Sequence, residues 1–248
     1  MAIIIKNAAQ IEKMRVSGRI VKEAHELLAK IIAPGISTRE IENSVVSLLK
    51  KNRATPSFKG YRGFPRSICI SVNQEVIHGM SDFRRLNSGD IVSVDIGAYK
   101  DGFHGDAART YGVGAISEEA QFLIDVTRQS FYEGVKFAKP LNFVNNISTA
   151  IEEYVVAQGL VVVREFVGHG VGAEIHEEPE ITNFNQKKRG PRLKAGMTIA
   201  IEPMVTLGSH EVEILSDGWT VVTKDGSLAA HYENTVLITD GEPEILTI

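Results

Sequence analysis

A chain of 248 residues that is 43% apolar and 23% charged can bury a core without disulfide staples. Its formal charge of -4, with no basic run, argues against an electrostatic grip on nucleic acid or anionic lipid. The single Cys69 cannot form an internal disulfide, no stretch approaches the roughly 20 apolar residues of a membrane span, and the opening Met-Ala-Ile-Ile-Ile-Lys is too short for a signal peptide, so a cytoplasmic location is expected.

Along the chain, Ile11, Met14, Ile20, Val21, Ala24, Leu27, Leu28 and Ile31 fall mostly at helical spacing and predict a helix over residues 11–32, stopped by Pro34-Gly35. Ser37 with Glu40 fits a capping box, opening a second helix whose apolar face uses Ile41, Val45, Leu48 and Leu49. Residues 53–66 mix aromatics with turn formers and read as a surface loop. Residues 67–72 read as a strand and 75–78 as its partner or continuation. Residues 91–98 and 103–111 form the clearest hairpin, around Lys100-Asp101-Gly102. Helical segments are expected over 117–138 and 144–158, then strands over 161–166, 198–207, 212–215, 219–223 and 234–239. The polar connection 183–194 is expected to be exposed. Helices, strands, helices, strands: this order predicts an α+β fold of two similar halves, each packing helices on one face of a curved, mostly antiparallel sheet.

Asp95 interrupts the apolar run Ile91-Val-Ser-Val-Asp-Ile-Gly-Ala98, where burying a carboxylate is costly unless its charge is compensated. If the hairpin turn centres on Lys100 and Asp101, facing residue numbers sum to about 201 and Asp95 stands opposite Asp106, roughly 5 Å away between Cβ atoms. Two like charges there are destabilising, so either the register differs and one faces solvent, or a cation lies between them. An aspartate near a turn is commonly just a turn residue. The second half repeats the pattern, with Glu202 in Thr198-Ile-Ala-Ile-Glu-Pro-Met204 and Glu233 ahead of Thr235-Val-Leu-Ile238. Four acidic interruptions of four apolar strands favour metal binding. His169, in Gly168-His-Gly-Val-Gly172, is expected to hold its imidazole exposed at a strand end, as a fifth ligand or a plain turn histidine.

Four carboxylates and one neutral imidazole match the charge of two divalent ions, and oxygen donors with one nitrogen and no thiolate favour Mn, Fe(II), Co or Zn. Such a pair supports hydrolysis. His176-Glu177-Glu178-Pro179 begins like a zinc-protease helix motif, yet it lacks the second histidine and Pro179 would break the helix. Neither a nucleophile elbow nor a P-loop is present, and Cys69 reads as a small buried hydrophobe.

Taken together, Ser71-Val-Asn-Gln-Glu-Val-Ile-His-Gly79, Val94-Asp-Ile-Gly97, His104-Gly-Asp106, Gly168-His-Gly-Val-Gly172, His176-Glu-Glu-Pro179, Ile201-Glu-Pro-Met204 and Tyr232-Glu233 resemble, in order and spacing, the type I methionine aminopeptidases over essentially the whole chain. The resemblance implies the pita-bread fold, with two pseudo-symmetric halves and one catalytic domain over residues 1–248. It implies Asp95, Asp106, His169, Glu202 and Glu233 as ligands of two divalent ions, Asp106 and Glu233 bridging. Glu202 would also handle the proton of a bridging water. His78 and His176 would hydrogen-bond the substrate and the tetrahedral intermediate, and Phe58, Tyr61, Phe64, Cys69, Ile175 and Trp219 would line an apolar methionine slot. The implied substrate is the N-terminal peptide of nascent proteins, cleaved after the initiator methionine when the second residue is small. A monomer with transient ribosome association is the matching expectation. Two departures stand out: Met80-Ser81 in place of the usual Ile-Pro or similar pair, and Asn234 in place of the usual histidine. An Xaa-Pro aminopeptidase or prolidase relative, and a noncatalytic module on the same fold, stay open as alternatives.

Overall fold

The computed structural model describes residues 2–248. Helix α1 (Ala8–Ile31) starts three residues before the predicted boundary because Asn7 and Gln10 form a reciprocal capping box. Helix α2 (Thr38–Lys51) opens on the expected Ser37–Glu40 box. Ser117 caps α3 (Glu118–Val135), and α4 (Val144–Ala157) follows after the Pro140 break.

All named strand pairings are antiparallel. In the first half, α1 and α2 cover a sheet in which Ile91–Lys100 is flanked by Thr55–Pro56, Cys69–Val72 and Phe103–Gly112. Val21, Leu28, Ile41, Val45, Ile70 and Val94 interlock there. In the second half, Phe131 of α3 with Ile147 and Ile151 of α4 packs on Ile199, Ile201 and Val236 of the sheet containing Thr198–Ile201 and Asn234–Leu237. Burying each such aliphatic or aromatic side chain contributes about 1.5–3 kcal/mol. The expected α+β plan of two helix-covered halves is therefore present.

Several local expectations need correction. The hairpin turns on two residues, Asp101 and Gly102, both at positive φ (52° and 89°), so the pairing is Lys100↔Phe103 and Asp95↔Ala108. Asp106 faces Gly97, not Asp95; the two carboxylates are diagonal neighbours on the same face. The segment 53–66 is not a plain surface loop, since Phe58 and Phe64 are buried. In the connection 183–194, residues 185–192 are exposed but Asn183 and Leu193 are buried.

The expected strand 198–207 is two strands. Thr198–Ile201 pairs with Asn234–Leu237 in one sheet, and Met204–Thr206 pairs with Ala229–His231 in another. Pro203 has no N–H to give a ladder, and the chain changes sheets at Glu202-Pro203. The register nonetheless carries across: Ile201↔Asn234 on one side and Met204↔His231 on the other put Glu202 opposite Glu233. The Tyr232 N–H donates to the Pro203 carbonyl at 3.2 Å between them. A directly facing carboxylate pair thus exists in the second half, not in the first.

Candidate metal centre and substrate pocket

The two halves meet at a backbone seam. Ala108 and Glu233 exchange both main-chain hydrogen bonds, 3.3 Å from Ala108 N to Glu233 O and 3.0 Å in return. One rank of residues therefore runs across both sheets: Cys69 beside Asp95, Asp95 beside Ala108, Ala108 beside Glu233, Glu233 opposite Glu202. Gly97 lets the rim close over this rank, because a Cβ there would lie 2.6 Å from Ser57 Cβ and 3.0 Å from the Phe58 ring.

Asp106 and Glu233 are each 2% exposed, Glu202 9% and His169 8%. Burial, reinforced by the charges of Asp106 and Glu202, holds Asp95 well above the usual carboxylate range. Burial likewise raises Glu202 and Glu233, and pushes Asp106 up to about 7. Oδ1 of Asp95, Oδ1 of Asp106 and Oε1 of Glu233 find no hydrogen-bond partner among the described residues. Buried acceptors left unpaired cost about 1–3 kcal/mol each, more when charged, so a cation is the missing partner.

His169 is not exposed at a strand end as expected; it lies in the short strand Gly168–Gly170, buried. Its Nδ1 is 2.9 Å from the Gly170 carbonyl, which only accepts, so Nδ1 carries the hydrogen and Nε2 keeps its lone pair free on the side of the carboxylates, where a cation could take it. Nε2 is 3.5 Å from Glu202 Oε1. Burial lowers this imidazole to about 4, keeping it neutral.

Donor atoms converge in two triplets, each with atoms within 4.8 Å of one another: Asp106, His169 and Glu233 in one, Glu202, His231 and Glu233 in the other. Glu233 is common to both, and Asp95 stands beside Asp106. The donor chemistry fits divalent ions of the Mn, Fe(II), Co and Zn group. His231 was missed by the sequence reading. Its signal was the spacing His-Tyr-Glu, since residues two apart in extended chain share a face.

Asp95, Asp106, His169, Glu202 and Glu233 form one wall of a cavity of about 410 Å³, whose other lining includes Phe58, Tyr61, Phe64, Cys69, His78, His176 and Trp219. Phe58, Phe64, Cys69 and Ile175 form a buried apolar cluster against which Tyr61, Trp219 and Met80 pack. Met80, at the first departure from the family pattern, thus supports the slot. Ile175 backs the cluster without lining the cavity itself. The Phe64 and Trp219 rings meet edge to face at 5.1 Å. Cys69 is buried, and burial together with the nearby carboxylates raises its thiol pKa, so it acts as a small apolar wall.

His176 stacks on Tyr61 at 4.9 Å and lies 4.1 Å from the His169 ring, between centroids. Burial lowers it to about 3 and lowers His78 to about 4. Both are neutral near pH 7 and keep one N–H to donate. His78 sits at φ 58°, a left-handed conformation rare for a side chain of this size, with its ring against Phe166. Every residue expected at the site, Ile175 excepted, lines this one cavity.

Similar proteins carry the same plan. The model of metallopeptidase family M24 matches residues 12–240. The methionine aminopeptidase of Clostridium perfringens is 54% identical over 246 residues, 99% of each chain, and methionine aminopeptidase 1 of Bacillus subtilis is 51% identical over 99% of each. The crystal structure of the Thermotoga maritima methionine aminopeptidase superposes with a TM-score of 0.97 at 45% identity, over 99% of both chains. The prolidase of Pyrococcus furiosus superposes with a TM-score of 0.80 at 26% identity, covering 99% of this chain but 65% of that one. The expected pita-bread architecture is the fold that these structures share with it. With a family match over most of its length and relatives half identical along nearly all of it, the chain belongs to metallopeptidase family M24, among its methionine aminopeptidases.

Proposed function

We propose that this aminopeptidase removes the initiator methionine from nascent proteins and peptides whose second residue is small, as one catalytic domain over residues 1–248. Methionyl aminopeptidase activity and use of divalent metal come with its family. The observation that carries the finer reading is the cluster of buried Asp106, Glu202, Glu233 and His169, with half-buried Asp95 beside it, at the wall of an aromatic cavity.

In this reading Asp95, Asp106, His169, Glu202 and Glu233 would hold two divalent ions. When bound, such ions would lower the pKa of a water and polarise the scissile carbonyl. Glu202 takes the proton of the attacking water and passes it to the leaving amine. His78 and His176 donate N–H groups toward the carbonyl oxygen as it gains charge. The slot lined by Phe58, Tyr61, Phe64, Cys69 and Trp219, and backed by Ile175, receives the unbranched thioether side chain, whose flexibility suits an irregular cavity. The enzyme acts as a cytoplasmic monomer on emerging chains, in transient contact with the ribosome.

The test is metal content measured alongside hydrolysis of methionyl-alanyl peptides. Two ions per chain are expected, and Asp106→Asn and Glu202→Gln should each abolish turnover while leaving the protein folded. Near-normal turnover of either variant with metal supplied would overturn the ligand assignment.

A further inference from the structure

His231 has no role in the family pattern described above, yet it stands inside the metal centre. It ends the strand Ala229–His231, two residues before Glu233 and on the same face. It is 2% exposed, and its Nε2 has no hydrogen-bond partner among the described residues. That atom lies 3.7 Å from Glu202 Oε2 and 4.0 Å from Glu233 Oε2. Both separations are too long for hydrogen bonds. They suit donors around a shared ion, since two atoms each about 2.0–2.2 Å from one ion stand at most about 4.4 Å apart.

The seam gives an independent reason. Because Ala108 and Glu233 exchange both backbone hydrogen bonds, the local two-fold between them carries Asp106 onto His231 and Thr110 onto Thr235. The threonine hydroxyls obey the same exchange. Thr235 Oγ1 accepts from Asp106 N at 3.0 Å and donates to Asp106 O at 2.9 Å. Thr110 Oγ1 accepts from His231 N at 2.9 Å and donates to His231 O at 2.9 Å. His231 therefore occupies, in the second half, the position that Asp106 occupies in the first.

We propose that His231 is a sixth protein donor at the metal centre, its Nε2 binding the ion that Glu202 and Glu233 hold. This rests on the two-ion reading of the site. His169 Nε2 lies 3.5 Å from the other oxygen of Glu202, so Glu202 and Glu233 stand between the two imidazoles. A neutral nitrogen in place of water leaves the net charge of the centre unchanged and shifts the second position toward Zn, Co and Fe(II), away from the all-oxygen preference of Mg.

The test uses the metal-free protein titrated with Co(II), read by calorimetry and by the visible absorption of the bound ion. In His231→Gln, one of two equivalents should weaken by about tenfold or more with a changed spectrum, the other remaining as in the parent. A second measurement needs no variant: in Zn(II)-loaded, 15N-labelled parent protein, two histidine rings should show the nitrogen shift of a metal-bound imidazole. One such ring, or a Co(II) isotherm and spectrum in His231→Gln that superimpose on the parent's, overturns the proposal and leaves the two-ion reading standing. A parent that binds no second equivalent overturns both.

Discussion

Arg109 donates its Nη2 to Asn234 Oδ1 at 2.6 Å, and the same oxygen accepts the Thr247 hydroxyl at 2.8 Å. The Arg109 Nη1 donates to the Glu233 carbonyl, and its guanidinium lies 4.3 Å above the Tyr232 ring. The residue that replaces the usual histidine is therefore an anchor for the arginine that grips the backbone of Glu233. Hydrogen bonds to charged groups are worth about 1.5–3 kcal/mol. Asn234→Ala should accordingly lower unfolding stability by about 2 kcal/mol and reduce turnover only moderately, since the ligand itself remains. Denaturant titration with parallel kinetics checks this; an unchanged midpoint would remove the anchoring role.

His176→Ala should cost about 2.7–4 kcal/mol of transition-state stabilisation, a fall of roughly a hundredfold to a thousandfold in kcat. Metal content should stay at the parent level, because His176 belongs to neither donor triplet. Metal analysis beside steady-state kinetics separates the two effects, and loss of the ions would make the residue structural.

His25 is buried with Nδ1 2.8 Å from the Tyr111 hydroxyl and Nε2 2.9 Å from the Ala107 carbonyl. Burial, with the charge of Arg109, lowers its pKa to about 3. In the unfolded chain the ring takes its proton near pH 6.5, so its stabilising contribution is complete above that pH and is lost as pH falls toward 3. The protein should lose stability on mild acidification, and His25→Gln should flatten that dependence by up to one proton between pH 6.5 and 4. Denaturation midpoints across that range provide the measurement; parallel curves for parent and variant would contradict it.

Phe64→Ala or Trp219→Ala should widen the methionine slot, because the two rings close on each other edge to face. Cleavage of peptides beginning with other large apolar residues should then appear, while methionyl-alanyl turnover falls. In the parent, rates should decline gradually from alanine to valine in second place, at about 1–3 kcal/mol per added methylene or so, before bulky residues are refused. A peptide array varied at both positions tests this. Equal cleavage of methionyl-alanyl and methionyl-arginyl peptides by the parent would remove the second-residue claim.

The parts of the fold that the sequence announces are those with a strong local cause. Ser37–Glu40 and Ser117 mark helix starts, and the apolar spacing of α1 and α2 gives their buried faces. Asp95, Asp106, Glu202 and Glu233 stand out because each is an acid amid apolar neighbours. Register was not legible, because a turn of Asp101 and Gly102 and one of Lys100 and Asp101 leave the same hydrophobic pattern while shifting the pairing. The break at Glu202-Pro203 was hidden by the apolar run on either side of it. His231 went unnoticed because its strand is only three residues long, and its spacing from Glu233 gains meaning once the seam brings Glu202 opposite.

The rank from Cys69 through Asp95, Ala108 and Glu233 to Glu202 crosses from one half to the other through a single pair of main-chain bonds. In the two-ion reading, an ion gripped by carboxylates on both sides of that crossing would work as a clasp between the halves. Without it, the strain of burying four neighbouring acids falls on that crossing, so the empty enzyme should breathe there first. Amide exchange at Ala108 and Glu233 ought then to slow more on metal loading than exchange in the interior of α1 or α4. The same clasp would make the spacing between donor atoms respond to the twist of either sheet, tying activity to packing beneath helices far from the site.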